Sequence, residues 1–283
     1  MIPANFDYQA PKSVEEAIAL LGSDPDAKIL AGGHSLLPAM KLRLAQPALL
    51  VDLGRITGLS YIREAGGRIA IGAMTTHSSI AESTLLHARS PLLAQAAKHI
   101  GDVQVRNRGT IGGSIAHADP AADYPAALLA LDAEIIARRK SGERTIPVRG
   151  FFEGLFSTAL QPGEIITEIR VPETAGAGTA YHKFHHPASG FAVVGVAANV
   201  RMAGSRIDSA AIGVTGVATH AYRAASVEAS LRGQPLTALS TACTKASEGV
   251  EALSDYFASA EYRKHLAAVY CERAVREAAA KKR

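Results

Sequence analysis

The sequence predicts an α+β protein of two units, and three observations support this prediction. The chain has 283 residues, and a length above about 250 residues favours two packed units over one. Apolar and polar residues alternate in several segments, which predicts strands. In the second half, strand patterns come first and helical patterns follow, an order typical of α+β units. A flexible stretch at residues 173–178, Glu-Thr-Ala-Gly-Ala-Gly, marks the predicted boundary.

The first elements of the chain alternate between helix and strand. Ser13 precedes two glutamates and an apolar stripe, which predicts a capped helix that ends near Gly22. Residues 28–31 predict a short strand, residues 35–44 a helical turn, and residues 49–53 a buried strand. The glycines between these elements do not have the G-x-G-x-x-G spacing, so a Rossmann fold is disfavoured.

A hairpin and further helices and strands follow. Residues 61–63 and 68–71 alternate on either side of Gly66-Gly67, which predicts a hairpin. The other elements predicted in the first half are helices from Thr76, from Ser90-Pro91 to near Gly101, and over 126–131, paired strands at 133–138 and 144–148, and a strictly alternating, half-buried strand at 164–172. The second half predicts strands at 192–200 and 210–217 and helices from about Ser226, Leu239 and Ser259.

Composition disfavours several classes of function. The net charge of +4 is only mildly basic, and lysines and arginines are scattered except at 281–283, a predicted solvated tail, so we expect no nucleic-acid partner. The N-terminus lacks a basic region followed by an apolar core, and no run of about eighteen apolar residues occurs. We therefore expect a cytoplasmic protein without a membrane span.

Three kinds of chemistry lack their usual residues. Cys243 and Cys271 are too few for an iron–sulfur cluster, which takes about four protein ligands, and Cys271 is expected to be a small buried apolar group. The chain has neither a G-x-S-x-G nucleophile motif nor a Walker A lysine. The histidine-rich run at 182–186 lacks the glutamate of a zinc hydrolase, so a solvated or hydrogen-bonded loop is expected there instead of a metal site.

Two glycine pairs carry the main functional signal. Gly32-Gly33 is followed by Ser35, and Gly112-Gly113 lies between Thr110 and Ser114. Glycines permit positive φ and bring successive N–H groups close to an anion, while the hydroxyls add further donors. The two segments together predict a cradle for a pyrophosphate that needs no lysine. Each pair alone is a weak signal, since most such pairs are ordinary turns.

Acidic residues and histidines stand beside the glycine pairs. We expect Asp123 to accept hydrogen bonds from sugar or ribityl hydroxyls, and Asp119, which precedes Pro120, to cap a turn. His34 and His117 are compatible both with a contact to a bound phosphate or its cofactor and with hydrogen bonds inside their own loops.

The motifs resemble those of a known family, the FAD-binding medium subunits of molybdenum hydroxylases, in particular of the carbon monoxide dehydrogenase type. The resemblance spans nearly the whole chain and rests on A-G-G-H-S-L-L-P at 31–38, M-K-L-R-L at 40–44, the run from Arg106 to Pro125, F-D-Y at 6–8 with S-V-E-E-A at 13–17, and S-A-E-Y-R at 259–263 with Leu266.

The resemblance implies a fold and a set of FAD-binding residues. Residues 1–175 would form a PCMH-type FAD-binding domain, with subdomains at about 1–55 and 56–175, and residues 178–283 a small sheet with a helical bundle. The residues expected to contact FAD are Ala31, Gly32, Gly33, His34, Ser35, Leu36, Thr110, Gly112, Gly113, Ser114, Asp123, Lys183 and Phe191. No residue is expected to bind metal or to act as an acid or base on the substrate.

Two points near the expected flavin ring stay open. Residues 186–190 read His-Pro-Ala-Ser-Gly where many relatives carry an arginine and an acidic residue, so the flavin environment differs there. Phe191 is compatible both with a place beside the ring and with a core position before an apolar strand.

The resemblance also implies partners and a route for electrons. A molybdopterin large subunit would oxidise the substrate, an iron–sulfur small subunit would relay electrons, and FAD on this chain would pass them to an external acceptor, in a dimer of heterotrimers. Two alternatives remain: a self-sufficient FAD-dependent oxidase, and a non-catalytic structural subunit.

Overall fold

The structure is a computed structural model and describes residues 2–281; Met1 and two residues of the predicted tail, Lys282 and Arg283, lie outside the described residues. The helices are α1 (Val14–Ser23), α2 (Leu36–Lys41), α3 (His77–Glu82), α4 (Thr84–Arg89), α5 (Pro91–Lys98), α6 (Val103–Arg108), α7 (Ile111–His117), α8 (Asp123–Ala130), α9 (Ala225–Leu231), α10 (Leu239–Cys243) and α11 (Ala260–Ala280). No helix among the described residues is long and apolar enough to cross a bilayer.

The strands divide among four sheets in the described part of the chain. They are β1 (Asp7–Gln9), β2 (Lys28–Leu30), β3 (Leu49–Asp52), β4 (Ile62–Ala65), β5 (Arg68–Gly72), β6 (Glu134–Arg139), β7 (Gly142–Pro147), β8 (Phe152–Gly154), β9 (Ser157–Thr158), β10 (Ile165–Pro172), β11 (Ala177–His185), β12 (Ala192–Ala203), β13 (Arg206–Thr215) and β14 (Tyr222–Arg223).

The first half of the chain contains two principal sheets. A small parallel sheet has the order β1-β3-β2, and a five-stranded antiparallel sheet has the order β4-β5-β10-β6-β7. Helix α1 covers the parallel sheet through Val14, Ala17 and Ile18, which are buried with the strand residues of that sheet. Burial of these apolar side chains stabilises the small sheet, because three short strands alone are marginal in water.

Helices α3–α8 form a layer whose core contains residues of the five-stranded sheet and of α3, α5, α7 and α8. Helix α8 is buried along its whole length, because it lies between this layer and the strands β12 and β13 of the second half. The second half is an antiparallel sheet of order β11-β12-β13-β14 with α9, α10 and α11 packed against it. The fold is therefore α+β, as predicted, with two principal sheets and a helical layer in the first half and a sheet with helices in the second.

The structure differs from the sequence prediction at two strands. Strand β10 was expected to alternate strictly, but its register shifts between Ile166 and Glu168, and both residues are buried. Glu168 is held by Tyr61 and Arg170, each 2.5 Å away, so a bulge brings a carboxylate inward where alternation placed it outward. The run at 182–186 was expected to be a loop; its first four residues instead belong to β11, and the Nε2 of His182 lies 2.6 Å from Glu277.

Candidate functional site

The first glycine pair lies in the loop between β2 and α2. Gly33 has φ of +76°, so the chain turns there in a conformation that a residue with a Cβ adopts at a cost. No described residue accepts a hydrogen bond from the backbone N–H of Gly32, Gly33, His34 or Ser35. The Ser35 hydroxyl makes no capping bond to α2 either. The loop therefore presents a row of donors that an anion can use.

The second glycine pair does not lie in a loop of this kind. Gly112 and Gly113 are in the first turn of α7, and neither has a positive φ, so the expected loop conformation is wrong at this pair. Their N–H groups are used within the protein: Gly112 donates to the Ala73 carbonyl at 2.8 Å and Gly113 to the Thr110 hydroxyl at 3.2 Å. What remains for a ligand here is the Ser114 side chain, which is half-buried on the same helix.

The glycines instead allow the two segments to touch. A Cβ at Gly32 would lie 2.4 Å from the Arg108 carbonyl oxygen, and a Cβ at Gly112 would lie 2.7 Å from Ala73. A Cβ at Gly113 would lie 2.9 Å from the Thr110 hydroxyl and 3.4 Å from the Cβ of Ala31. The two glycine pairs, which are 80 residues apart in the sequence, are thus close together in the structure because side chains are missing at the contact.

Asp123 begins α8 and is almost completely buried. Its Oδ1 accepts a bond of 2.5 Å from the Tyr181 hydroxyl, and its Oδ2 lies 2.9 Å from the Lys183 ammonium. Lys183 is equally buried and also donates to the His99 carbonyl at 2.9 Å. Burial raises the pKa of Asp123, and Lys183 and Tyr181 oppose that rise. Two of the expected site residues, Asp123 and Lys183, therefore meet in an ion pair, although they are 60 residues apart.

Two histidines near this ion pair, the buried His77 and the half-buried His99, carry no signal in the sequence. Burial lowers the pKa of His77 to about 4, and the ring nitrogen Nδ1 lies 3.2 Å from the Tyr124 hydroxyl. Burial also lowers the pKa of His99 to about 4, with the charges of His185 and Lys183 contributing. A single histidine inside a helical pattern gives no periodicity signal that could have identified either residue. Both rings are neutral at pH 7.

The pKa of His77 predicts how stability depends on pH. The folded pKa of about 4 lies below the ordinary value of 6.5, so the unfolded chain binds more protons between these values and stability falls as the pH falls. We expect the free energy of unfolding of the full chain to lose up to about 1.4 kcal/mol per pH unit from this group, and His77→Gln to flatten the slope. Urea unfolding between pH 7 and 4.5 measures the slope, and a His77→Gln chain with the same slope as the wild type would contradict the prediction.

The remaining predicted residues lie around these groups. The imidazole of His34 is exposed, and its Nε2 lies 3.3 Å from the Gln104 carbonyl oxygen. The ring of His117 packs against that of Phe156, with 5.0 Å between the ring centroids. Leu36 is half-buried at the start of α2. Asp119 accepts a bond of 2.8 Å from the Ala121 N–H and so caps the turn, as expected.

Phe191 is 46% exposed, so its alternative place in the core is wrong. It lines a pocket of about 190 Å³ together with Pro120, His186 and Arg263. Cys271 and Cys243 are buried free thiols in the core of the second half, as expected for Cys271. No group of three metal-binding side chains occurs within residues 2–281.

Comparison with known proteins agrees with this geometry. Residues 4–174 match the model of the FAD binding domain in molybdopterin dehydrogenase, and residues 179–278 match the CO dehydrogenase flavoprotein C-terminal domain. The carbon monoxide dehydrogenase medium chain of Hydrogenophaga pseudoflava is 45% identical, with 98% of each chain covered. Subunit alpha of the 6-hydroxypseudooxynicotine dehydrogenase complex of Paenarthrobacter nicotinovorans is 39% identical over 98% of this chain and 96% of its own.

A solved structure of carbon monoxide dehydrogenase from Hydrogenophaga pseudoflava superposes with a TM-score of 0.97 at 46% identity and covers all of both chains. Sequence and structure thus match over the full length, including both glycine segments. The chain belongs to the family of FAD-binding medium subunits of molybdenum hydroxylases, in which the carbon monoxide dehydrogenase medium chains are among its similar relatives.

Proposed function

We propose that this chain holds FAD through the loop of residues 31–35 and carries electrons from iron–sulfur clusters on a small partner subunit to an external acceptor. The observation that supports this proposal is the row of backbone N–H donors at Gly32, Gly33, His34 and Ser35, which no described residue uses. A pyrophosphate is a suitable occupant, because successive N–H groups stabilise negative charge without a lysine.

The residues present fit such a dinucleotide. The N–H groups of the loop would donate hydrogen bonds to the phosphates. The hydroxyls of Ser35 and Ser114 lie on the two segments that Gly32 and Gly113 bring together. Leu36 and Ala31 supply apolar surface at the two ends of the loop. The glycines at 112 and 113 serve this site through close packing, not through their own N–H groups.

Asp123 and Lys183 are proposed to fix the part of the cofactor beyond the pyrophosphate. A carboxylate oxygen accepts up to two hydrogen bonds, so each oxygen of Asp123 retains capacity for a ribityl hydroxyl after binding Tyr181 or Lys183. The Lys183 ammonium has three hydrogens, of which two are used in the protein. Phe191, which is exposed at the edge of a pocket, is proposed to flank the flavin ring.

The bound flavin supplies the redox chemistry, taking up electrons and passing them on, and the protein supplies binding and orientation. His77 and His99 are held neutral by burial and so add no positive charge beside Asp123 and Lys183 at pH 7. We infer no acid or base role toward the substrate for any side chain of this chain. The substrate would be chosen on the large partner chain, and the names of the relatives cover carbon monoxide and a nicotine derivative alike.

The chain is a subunit of a multi-subunit complex, as its relatives are. We propose that the partners are an iron–sulfur small subunit and a molybdopterin large subunit, in a dimer of heterotrimers. Two cysteines in the whole sequence, both buried, are too few to hold a cluster, so the cluster ligands would come from the partner. We propose a division into residues 1–175 and 178–283, with 1–55 and 56–175 as subdomains of the first part.

A titration of the purified full chain with FAD tests the proposal. We expect flavin absorbance to remain after gel filtration, and Ser35→Ala to weaken binding by about three- to tenfold, because one hydrogen bond to a charged group is lost. Ser23→Ala, which removes an exposed hydroxyl at the end of α1, is the control. A colourless, folded chain would contradict FAD binding and favour a structural subunit.

The second part of the test uses the complex. After capture with its native partners, the flavin should be reduced when the substrate of the large subunit is added, and not by small organic substrates when this chain is alone. Flavin reduction by such a substrate in the isolated chain would favour a self-sufficient oxidase.

A further inference from the structure

The short segment that joins α7 to α8 is held by the sheet of the second half. Three consecutive carbonyl groups, those of Pro120, Ala121 and Ala122, all accept hydrogen bonds from that sheet. The N–H of Gly216 donates to Pro120 at 2.8 Å, and the N–H of Ala192 donates to Ala121 at 3.3 Å. The Thr215 hydroxyl lies 2.8 Å from the carbonyls of both Pro120 and Ala122 and shares its single hydrogen between them.

The donors of this contact are themselves fixed. Thr215 is fully buried at the end of β13. Arg263 on α11 donates from Nη1 to the carbonyls of Val193 and Gly216, at 2.7 and 2.6 Å, and its Nη2 lies 2.5 Å from Asp255. Gly216 has φ of +83°, and a Cβ there would lie 2.6 Å from the Val193 carbonyl oxygen. A buried cation thus sets the backbone that presents the donors.

The segment stands between two proposed FAD ligands. Ser114 precedes it on α7, and Asp123 follows it directly at the start of α8. The N–H groups inside the segment are also used, since Ala121 donates to the Asp119 carboxylate at 2.8 Å and Ala122 to the Asp119 carbonyl at 3.0 Å. These hydrogen bonds hold the backbone of residues 120–122 in place. Because Asp123 is the next residue, its position depends on that backbone.

We propose that Thr215 is a positioning residue for the FAD site, through which the sheet of the second half sets the place of Asp123. Thr215 acts through the backbone of residues 120–122 and has no contact with Asp123 among the hydrogen bonds of the described chain. The inference rests on the proposed function, in which Asp123 binds FAD.

Substitutions at Thr215 test this inference in the full chain. Thr215→Val keeps the shape but leaves the Ala122 carbonyl without its donor, and we expect the dissociation constant for FAD to rise about tenfold, since a buried unsatisfied carbonyl disturbs its segment. Thr215→Ser keeps the hydroxyl and should restore binding to within about twofold of wild type. Thr215→Ala is a second variant without the hydroxyl, for use if the valine variant does not fold.

A stability control separates positioning from general weakening of the second half. Cys243→Ala removes a buried side chain from α10, away from the segment, and should lower the melting temperature while leaving FAD affinity unchanged. Wild-type affinity in the folded valine and alanine variants would overturn the inference, as would an equal loss of affinity in Cys243→Ala. If the wild-type chain itself bound no FAD, the proposed function would fail first, and the inference with it.

Discussion

Gly32→Ala is expected to raise the dissociation constant for FAD at least about 100-fold above that of the wild type. The added methyl would lie 2.4 Å from the carbonyl oxygen of Arg108 and 2.6 Å from the Cα of Gly109, and these backbone atoms cannot rotate away as a side chain can. The loop of residues 31–35 must therefore move, and the loss of two charge-assisted N–H bonds to a phosphate corresponds to a loss of this size. Equilibrium titration with FAD, followed by fluorescence quenching, measures the change.

Gly22→Ala is the matched control for this experiment. Gly22 lies in α1, is exposed, and has no atom within 4 Å of the position of a new Cβ, so alanine should leave FAD affinity unchanged and slightly favour the helix. Thermal unfolding without FAD should show that Gly32→Ala is still folded, because overpacking at one site costs about 1–3 kcal/mol. A folded Gly32→Ala chain that binds FAD as the wild type does would remove the loop from the cofactor site.

Lys183→Met should destabilise the folded chain by about 3–5 kcal/mol at pH 7. The substitution keeps most of the apolar stem but leaves the carboxylate of Asp123 buried with only Tyr181 as a partner. The pKa of Asp123, which burial already raises, will rise further without the lysine. Because a carboxyl group with a raised folded pKa binds protons more tightly when folded, the variant should recover stability as the pH falls. Urea unfolding at several pH values measures both effects.

Two comparisons isolate the buried pair. Lys183→Met combined with Asp123→Asn removes the uncompensated charge and should recover part of the loss, which a double-mutant cycle measures as the coupling between the two residues. Arg276→Met breaks an exposed pair with Glu272 on α11 and should cost less than about 1 kcal/mol. A loss for Lys183→Met as small as that for Arg276→Met would contradict the inferred strength of the buried pair.

Local sequence signals were sufficient for most elements but not for long-range contacts. Ser13 and Thr76 accept bonds from the N–H groups of Glu16 and Ser79, so the predicted helix starts are confirmed. The Gly66-Gly67 hairpin also formed as predicted, because its turn and its two strands are adjacent in the sequence. In these cases the residues that determine the structure lie within a few positions of one another.

The errors arose where distant residues decide the conformation. The Gly112-Gly113 pair was expected to form a loop with N–H groups free for an anion, but the Thr110 cap and the Ala73 carbonyl make it the first turn of a helix. Strand β11 was not predicted, because its polar residues suggest a loop. In the structure such residues have partners inside the protein, as Lys183 does in Asp123. Sequence motifs located both glycine segments of the site. Only the packing shows that residues 31–35 present N–H donors, while Gly112 and Gly113 allow close contact with neighbouring residues.

The position of β10 in the five-stranded sheet has a consequence for how the chain acquires its structure. Its neighbours are β5, which ends at Gly72, and β6, which begins at Glu134, so the sheet joins segments made far apart in time during synthesis. Both glycine segments leave the ribosome before β10, the strand that completes this sheet. Nonlocal pairing of this kind slows folding, so the nascent first half should remain open to chaperones until residue 172 has emerged.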